Sequence, residues 1–85
     1  MALGDLHMAV IDMLELEEPK TAYEVRSALR QAERGDHYLY TLYPALFKLQ
    51  RLGLVSQQER RRAYLPRPRT EFLLTFEGLI IKNGL

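Results

Sequence analysis

The sequence contains no cysteine among its 85 residues. Disulfide bonds and metal sites built from thiolates are therefore excluded, and the composition is compatible with a reducing cytoplasm, where we expect the protein to be located. No apolar run approaches the length needed to cross a bilayer. The N-terminal segment has an early Asp5 and no basic flank, so we expect neither a membrane span nor a secretory signal.

Side chains that carry out catalysis are scarce. The two histidines, His7 and His37, fall on different predicted elements, and the chain has neither a Ser-His-Asp order nor a glycine-rich phosphate loop. We expect His7 to be exposed and His37 to pair at most with Asp36. Three acidic residues cluster after the first apolar stretch: Glu15, Glu17 and Glu18. They indicate a solvated corner, with a bound divalent ion as the alternative. We predict that the protein is not an enzyme and needs no cofactor.

Length and charge limit the remaining classes of protein. A chain of 85 residues suffices for one small core, so we expect a single domain over residues 1–85. Residues 1–36 hold four basic and eight acidic side chains, a balance of −4, whereas residues 37–85 hold eight basic and three acidic ones, a balance of +5. A polyanion would be attracted to the second half. The alternative is a solvated surface with uneven charge.

Two amphipathic helices are predicted in the acidic half. Apolar side chains recur at three- and four-residue steps over Leu3–Leu16, which indicates a first helix. Thr21 and Glu24 have the spacing of a capping box, in which the threonine hydroxyl and the glutamate carboxylate each accept from the other residue's amide. A second helix is therefore predicted over Ala22–Arg34, and Gly35 is placed to end it in a left-handed conformation.

A third helix is predicted from Thr41, as its cap, to Gly53, which ends it. Pro44 would fall within its first turn, where an amide has no helical partner. Leucines line one side of this helix: Leu42, Leu46, Leu49 and Leu52. The opposite side is aromatic and basic: Tyr43, Pro44, Phe47, Lys48 and Arg51. A helix of this kind suits insertion into a DNA groove.

The rest of the sequence predicts a β-hairpin and a closing helix. A first strand is expected over Leu54–Glu59, with a continuation over Ala63–Leu65, and Pro66–Arg69 is expected at the hairpin tip because proline lacks the amide donor. The second strand is expected over Thr70–Thr75, and Thr75 would cap a helix over Phe76–Lys82. The predicted fold class is α+β, a winged helix-turn-helix with a three-helix core, a two-stranded wing and a short C-terminal helix.

Three segments carry a resemblance to a known family. Pro19–Val25 (PKTAYEV) resembles the Pro-x-x-Gly-Tyr-Glu-Ile segment that opens the second helix of PadR-like transcriptional regulators. Thr41–Leu46 (TLYPAL), with Leu49 and Gly53–Val55, is similar to that family's Ser-Leu-Tyr-Pro-Ala-Leu…Leu…Gly-Leu-Val signature. Leu74, Thr75 and Gly78 match the Leu-Thr-x-x-Gly pattern that follows its wing. The resemblance covers nearly the whole chain and implies a DNA-binding winged helix.

The sequence departs from the family pattern at three places. Ala22 stands where glycine is usual, and Phe47 occupies a position that is often polar or basic. The family's further C-terminal helices, which form its dimer, have no counterpart before Leu85. Two alternatives follow: a minimal stand-alone protein, or a dimer formed through another surface. We expect a homodimer through the first and closing helices, because one small winged helix offers little area for tight binding to DNA.

Two sets of side chains are candidates for contact with double-stranded DNA. The third helix and the residues before it contribute Tyr38, Tyr40, Thr41, Tyr43, Pro44, Phe47, Lys48 and Arg51. The hairpin contributes Arg60, Arg61, Arg62, Arg67 and Arg69. Hydroxyl groups can donate to phosphates or base edges, while the cations pair with the DNA backbone. The alternatives are tyrosine rings packed on the core, and arginines that protect an edge strand from aggregation.

The sequence therefore predicts a DNA-binding transcriptional regulator, a repressor or modulator, that acts as a homodimer. If five to six phosphates are neutralised, the logarithm of the affinity should fall with the logarithm of the salt concentration at a slope of about −4 to −5. The competing hypothesis is a winged helix used as a protein-interaction module, in which Phe47 and the apolar segment Leu79–Ile81 contact a partner.

Overall fold

Four helices and one two-stranded antiparallel hairpin follow one another in the predicted order. The computed structural model describes residues 3–61, 63–64 and 66–84. The elements are α1 (Asp5–Met13), α2 (Ala22–Gln31), α3 (Leu39–Arg51), β1 (Val55–Arg60), β2 (Arg69–Leu74) and α4 (Phe76–Lys82). This order confirms the α+β winged helix-turn-helix. Arg62 and Leu65, both in the predicted hairpin region, lie outside the described residues.

Helix α1 ends three residues before the predicted Leu16. Leu14 is extended, with ψ at 156°, although its side chain is fully buried. The reason is a tertiary backbone pairing: the Glu15 carbonyl accepts from the Leu74 amide at 2.8 Å, and Lys20 and Phe72 exchange two hydrogen bonds of 3.1 and 2.7 Å. The segment between α1 and α2 thus runs along β2 like a short third strand, which apolar spacing alone does not reveal.

Helix α2 begins as predicted and ends differently. The capping box is present, with the Glu24 amide donating to Thr21 Oγ1 at 3.2 Å and the Thr21 amide donating to Glu24 Oε1 at 2.9 Å. The helix stops at Gln31 rather than Arg34, because Glu33 adopts the left-handed conformation (φ 57°). Its amide and the next one bond back into the last helical turn, which satisfies carbonyls that would otherwise lack a donor. Glu33, not Gly35, is therefore the left-handed stop.

Helix α3 begins three residues earlier than predicted, at Leu39. Tyr38 is its N-cap residue, and Thr41 lies inside the first turn, so the prediction that Thr41 caps the helix is wrong. Pro44 consequently lies in the second turn rather than the first. A proline there cannot donate to the carbonyl four residues earlier, that of Tyr40. The aromatic lead into the helix accounts for the error, since tyrosine carries no cap signal.

The hairpin pairs Val55 with Leu74 at one end and Arg60 with Arg69 at the other. Both strands are displaced by one residue from their predicted bounds, and Ala63 and Tyr64 lie in a turn rather than in a strand. Thr75 caps α4 as predicted: its hydroxyl accepts from the Gly78 amide at 3.1 Å.

The core lies between the three N-terminal helices and the inner face of the hairpin. Its fully buried large side chains come from α1 and the residue after it, α2, α3 and β2: Val10, Ile11, Leu14, Val25, Leu29, Leu42, Leu46, Leu49, Phe72 and Leu74. Helix α4 is joined to the rest by Lys82, whose Nζ donates to the Leu14 carbonyl and to Glu15 Oε1, both at 2.9 Å. Helix α3 thus has Leu42, Ala45, Leu46 and Leu49 buried in the core, and its other side is available to solvent.

Candidate nucleic-acid interface

The exposed face of α3 is a narrow strip that mixes rings and cations. It consists of Tyr40, Pro44, Phe47, Lys48 and Arg51, all exposed. Tyr40, Pro44, Phe47 and Arg51 follow one another at three- and four-residue steps, and Lys48 lies one turn after Pro44, so the five share one side of the helix. On the opposite side Leu42, Leu46 and Leu49 are fully buried and Leu52 is half-buried, which fixes the rotation of the helix about its axis. The predicted separation into an apolar back and an aromatic and basic front is present.

The other candidates on this element occupy the edges of the exposed face. Tyr38 and Tyr40 are exposed and stack on each other, with ring centroids 5.2 Å apart and an interplanar angle of 9°. Thr41 and Tyr43 are half-buried. The Tyr43 ring packs against the core, so it is held in place rather than free in solvent. Four tyrosine and threonine hydroxyl groups thus lie on the strip or at its edges, two of them on rings that are 66% and 75% exposed.

A row of aromatic rings connects the exposed face to the core. Phe47 stacks on Tyr43 with centroids 5.9 Å apart and lies 6.3 Å from the ring of Phe72. Phe72 is completely buried in β2. Phe47 itself is 41% exposed, so one side of its ring rests on this row and the other faces solvent.

Two of the hairpin arginines are engaged with glutamates. Arg60 Nε lies 3.6 Å from Glu71 Oε1, and the Glu71 residue is only 4% exposed. A buried carboxylate requires such a partner, so Arg60 has a structural role within the hairpin. Arg69 lies 3.5 Å from Glu24 Oε1 at the start of α2. The Thr21 amide that donates to Glu24 lowers the pKa of this carboxyl, and the Arg69 guanidinium lowers it further.

Lys82 of the basic half pairs with Glu15, but four other cations are unpaired within the part of the chain that the structure describes. Lys48, Arg51, Arg61 and Arg67 are exposed and have no carboxylate within 4.0 Å among those residues. The structure therefore divides the predicted set of arginines: Arg61 and Arg67 present unpaired charge, whereas Arg60 and Arg69 do so only if their ion pairs open. Arg62 lies outside the described residues.

A cleft of about 550 Å³ separates the start of α2 from the hairpin. Tyr23, Glu24 and Tyr43 line one side, and Arg67 and Thr70 line the other. Tyr23 is 65% exposed and was not predicted to belong to the site. Helical periodicity places Tyr23 away from the buried Ala22 and Val25, so its exposure could be predicted from the sequence. Its position beside the hairpin could not, because that results from tertiary packing.

The histidines differ from their predicted environments. His7 is half-buried rather than exposed, and its Nδ1 atom is buried without a hydrogen-bond partner among the described residues. Burial lowers the pKa of His7, and the positive charge of Lys48 lowers it further. His37 Nε2 lies 3.0 Å from the Arg34 carbonyl, whereas Asp36 pairs with Arg30.

The acidic corner is held by an ion pair rather than arranged as a metal site. Glu15 pairs with Lys82 at 2.9 Å, while Glu17 and Glu18 are exposed. Across the described ranges, no group of three His, Cys, Asp or Glu side chains is arranged to hold a metal ion. Nor does any helix in those ranges combine the length and apolar character that a membrane span requires.

Comparison with known proteins identifies structural relatives. No family model matches the chain, and no curated protein matches it. Among solved structures, a PadR-like transcription factor from Bacteroides fragilis is 28% identical with a TM-score of 0.78; the match covers 92% of this chain and 73% of that one. A transcriptional regulator from Streptococcus is 29% identical with a TM-score of 0.73, covering 92% and 74% of the two chains.

A third structure, PadR of Bacillus subtilis in complex with operator DNA, has a TM-score of 0.80 at 17% identity. That match covers 96% of this chain and 46% of the other, and it shows the fold alone. The two structures of 28% and 29% identity are transcription regulators, which supports the expectation that this chain is not an enzyme. In fold and over most of its length, the chain is similar to PadR-like winged helix-turn-helix regulators.

Proposed function

We propose that residues 1–85 form one winged-helix domain that binds double-stranded DNA in the cytoplasm and represses or modulates transcription as a homodimer. Helix α3 enters the major groove with its exposed face toward the bases. The hairpin lies over the flanking backbone, where Arg61 and Arg67 contact phosphates. Binding requires no cofactor.

The observation that carries this proposal is the composition of the exposed face of α3. Two cations without ion-pair partners among the described residues, Lys48 and Arg51, lie beside exposed rings on a helix whose back is locked into the core. Phosphate contacts of this kind position a protein on DNA, while neighbouring side chains reach base edges. Support also comes from the solved relative of the same fold that is bound to operator DNA.

A titration against random duplexes at several salt concentrations tests the proposal. Among the described residues of the basic half, four exposed cations per protomer are available without opening an ion pair: Lys48, Arg51, Arg61 and Arg67. The logarithm of the affinity should therefore fall with the logarithm of the salt concentration at a slope of about −3 to −4 per protomer. This slope is shallower than the sequence predicts, because Arg60 and Arg69 are engaged with glutamates. A flat response would contradict DNA binding and favour a protein-interaction module.

The proposed homodimer uses the outer surface of α4. Phe76 and Ile80 are 72% and 45% exposed, and they lie one helical turn apart on the same side. Ile81 is exposed beside them. Exposed apolar side chains clustered in this way are typical of interaction surfaces. A second copy of the same surface would cover them and place two α3 helices on successive half-sites.

Replacing Ile80 by glutamate should weaken the dimer at least about a hundredfold, because a two-fold interface loses the burial of two isoleucines and gains two buried charges. Sedimentation equilibrium measures the dissociation constant. The control variant is Glu59→Gln, which changes an exposed charge on the hairpin rather than on α4 and should leave association unchanged. A wild-type protein that sediments as a monomer at every concentration would contradict the homodimer while leaving the DNA titration to be judged separately.

A further inference from the structure

Phe47 differs chemically from the rest of the exposed face. A benzene ring has no hydrogen-bond donor or acceptor, and it stands among an amine, a guanidinium and phenol groups. Its position is fixed, because the ring stacks on Tyr43 and lies 6.3 Å from the fully buried Phe72. The solvent-facing part of Phe47 is thus an apolar surface held at a defined place on α3.

An apolar side chain in the major groove can distinguish between bases. The edges of adenine, guanine and cytosine present hydrogen-bonding groups there, whereas thymine also presents its 5-methyl group. A ring pressed against a polar edge removes water from groups that it cannot bond, which is unfavourable. Against the methyl group, the same ring buries apolar surface on both sides. We propose that Phe47 is a specificity-determining residue that reads the 5-methyl group of a thymine; this inference rests on the proposed DNA binding.

The surroundings of Phe47 favour a groove over an apolar protein partner. Pro44 is its only exposed apolar neighbour on this face, and Lys48 and Arg51 lie within one turn. Apolar surface this narrow, flanked by two cations without carboxylate partners among the described residues, lacks the wide apolar centre of a protein interface. It suits a groove in which the cations meet phosphates and the ring meets a base.

Deoxyuridine provides the test, because it differs from thymidine only by the methyl group. A duplex selected from a random pool by the wild-type protein is resynthesised with deoxyuridine at one thymine at a time. At the thymine contacted by Phe47, the affinity should fall about fourfold, since a buried methyl group contributes about 0.8 kcal/mol. The same substitutions are then measured with Phe47→Ala, Phe47→Leu and the control Tyr40→Ala, each checked for helical content by circular dichroism.

The inference is tested by whether the effect of removing the thymine methyl group depends on the Phe47 ring. In Phe47→Ala, the deoxyuridine effect should vanish at that position, whereas Phe47→Leu, which remains apolar, and Tyr40→Ala should retain it. If Phe47→Ala fails to fold, Phe47→Leu still tests the inference. Loss of the deoxyuridine effect in that variant would overturn it. A selected site with no sensitive thymine, or one equally sensitive in Phe47→Ala, overturns the inference alone. Failure of the wild type to select any duplex overturns the proposed function as well.

Discussion

A protein in which Lys48, Arg51 and Arg67 are all replaced by glutamine should bind duplex DNA roughly 10²–10³-fold more weakly at about 0.1 M salt. Each cation that meets a phosphate releases condensed counterions, so losing three contacts removes nearly one power of ten apiece under these conditions. The loss should be similar for every DNA sequence, because phosphate contacts carry no base information. The salt slope should become shallower by about 2.7 per protomer.

The fold should be unaffected by these three changes. The side chains are exposed and make no ion pair with the described residues, and exposed positions of this kind usually alter stability by no more than about 0.5 kcal/mol each. A control carries the same loss of charge in the acidic half, at Arg26, Arg30 and Arg34; because Arg30 and Arg34 pair with Asp36 and Asp12, its folding is checked by circular dichroism. Fluorescence anisotropy on one labelled duplex compares the two proteins. Equal losses in both would mean that net charge, and not the surface formed by α3 and the hairpin, governs binding.

The helices and their order could be predicted from the sequence because their signals are local. Apolar side chains at three- and four-residue steps place the back of α3, and the Thr21–Glu24 capping box fixes the start of α2. The Thr75 cap fixes the start of α4 in the same way. Each of these signals lies within one turn of the element that it defines.

The wrongly predicted helix ends have two causes. Either a hydrogen-bond partner is distant in the sequence, or a residue adopts a backbone conformation that is unusual for its type. Leu14 fits the period of α1, yet the chain turns extended there because the next carbonyl pairs with Leu74 in β2. Glu33 adopts the left-handed conformation that glycine usually adopts at the end of a helix. The prediction that Gly35 ends α2 is therefore wrong. Long-range pairing of this kind has no signature in residue spacing.

The site was predictable in outline for the same reason. Lys48 and Arg51 could be placed on the outer side of α3 from periodicity alone. Arg60 and Arg69 could not be assigned, because counting charges does not show that Glu71 is buried beside one or that Glu24 lies 3.5 Å from the other. Whether an arginine is available to DNA depends on such pairings, which form only when the hairpin packs against α2.

Replacing Gly78 by alanine should lower the free energy of unfolding by about 3 kcal/mol or more. Gly78 is buried in the first turn of α4, where an added Cβ would overlap the Leu54 carbonyl oxygen and lie 3.0 Å from the carbonyl carbon. That carbonyl accepts from the Thr75 amide at 3.1 Å, so the backbone cannot move aside without breaking the bond that sets α4 in place. Against a typical total of about 5–15 kcal/mol, such a loss is large.

Thermal unfolding followed by circular dichroism measures this effect, and the midpoint should fall by at least about 12 °C for a domain of this size. Gly4→Ala is the matched control, because its φ of −72° suits alanine and the nearest atom to an added Cβ is a side-chain atom at 3.4 Å. It should cost no more than about 1 kcal/mol, the usual effect of alanine at a helix N-cap. An unchanged midpoint in Gly78→Ala would contradict the close approach of α4 to Leu54. A large loss would give the glycine of the Leu-Thr-x-x-Gly pattern a steric explanation: only a residue without a side chain lets the capped helix start directly against the chain that enters the hairpin.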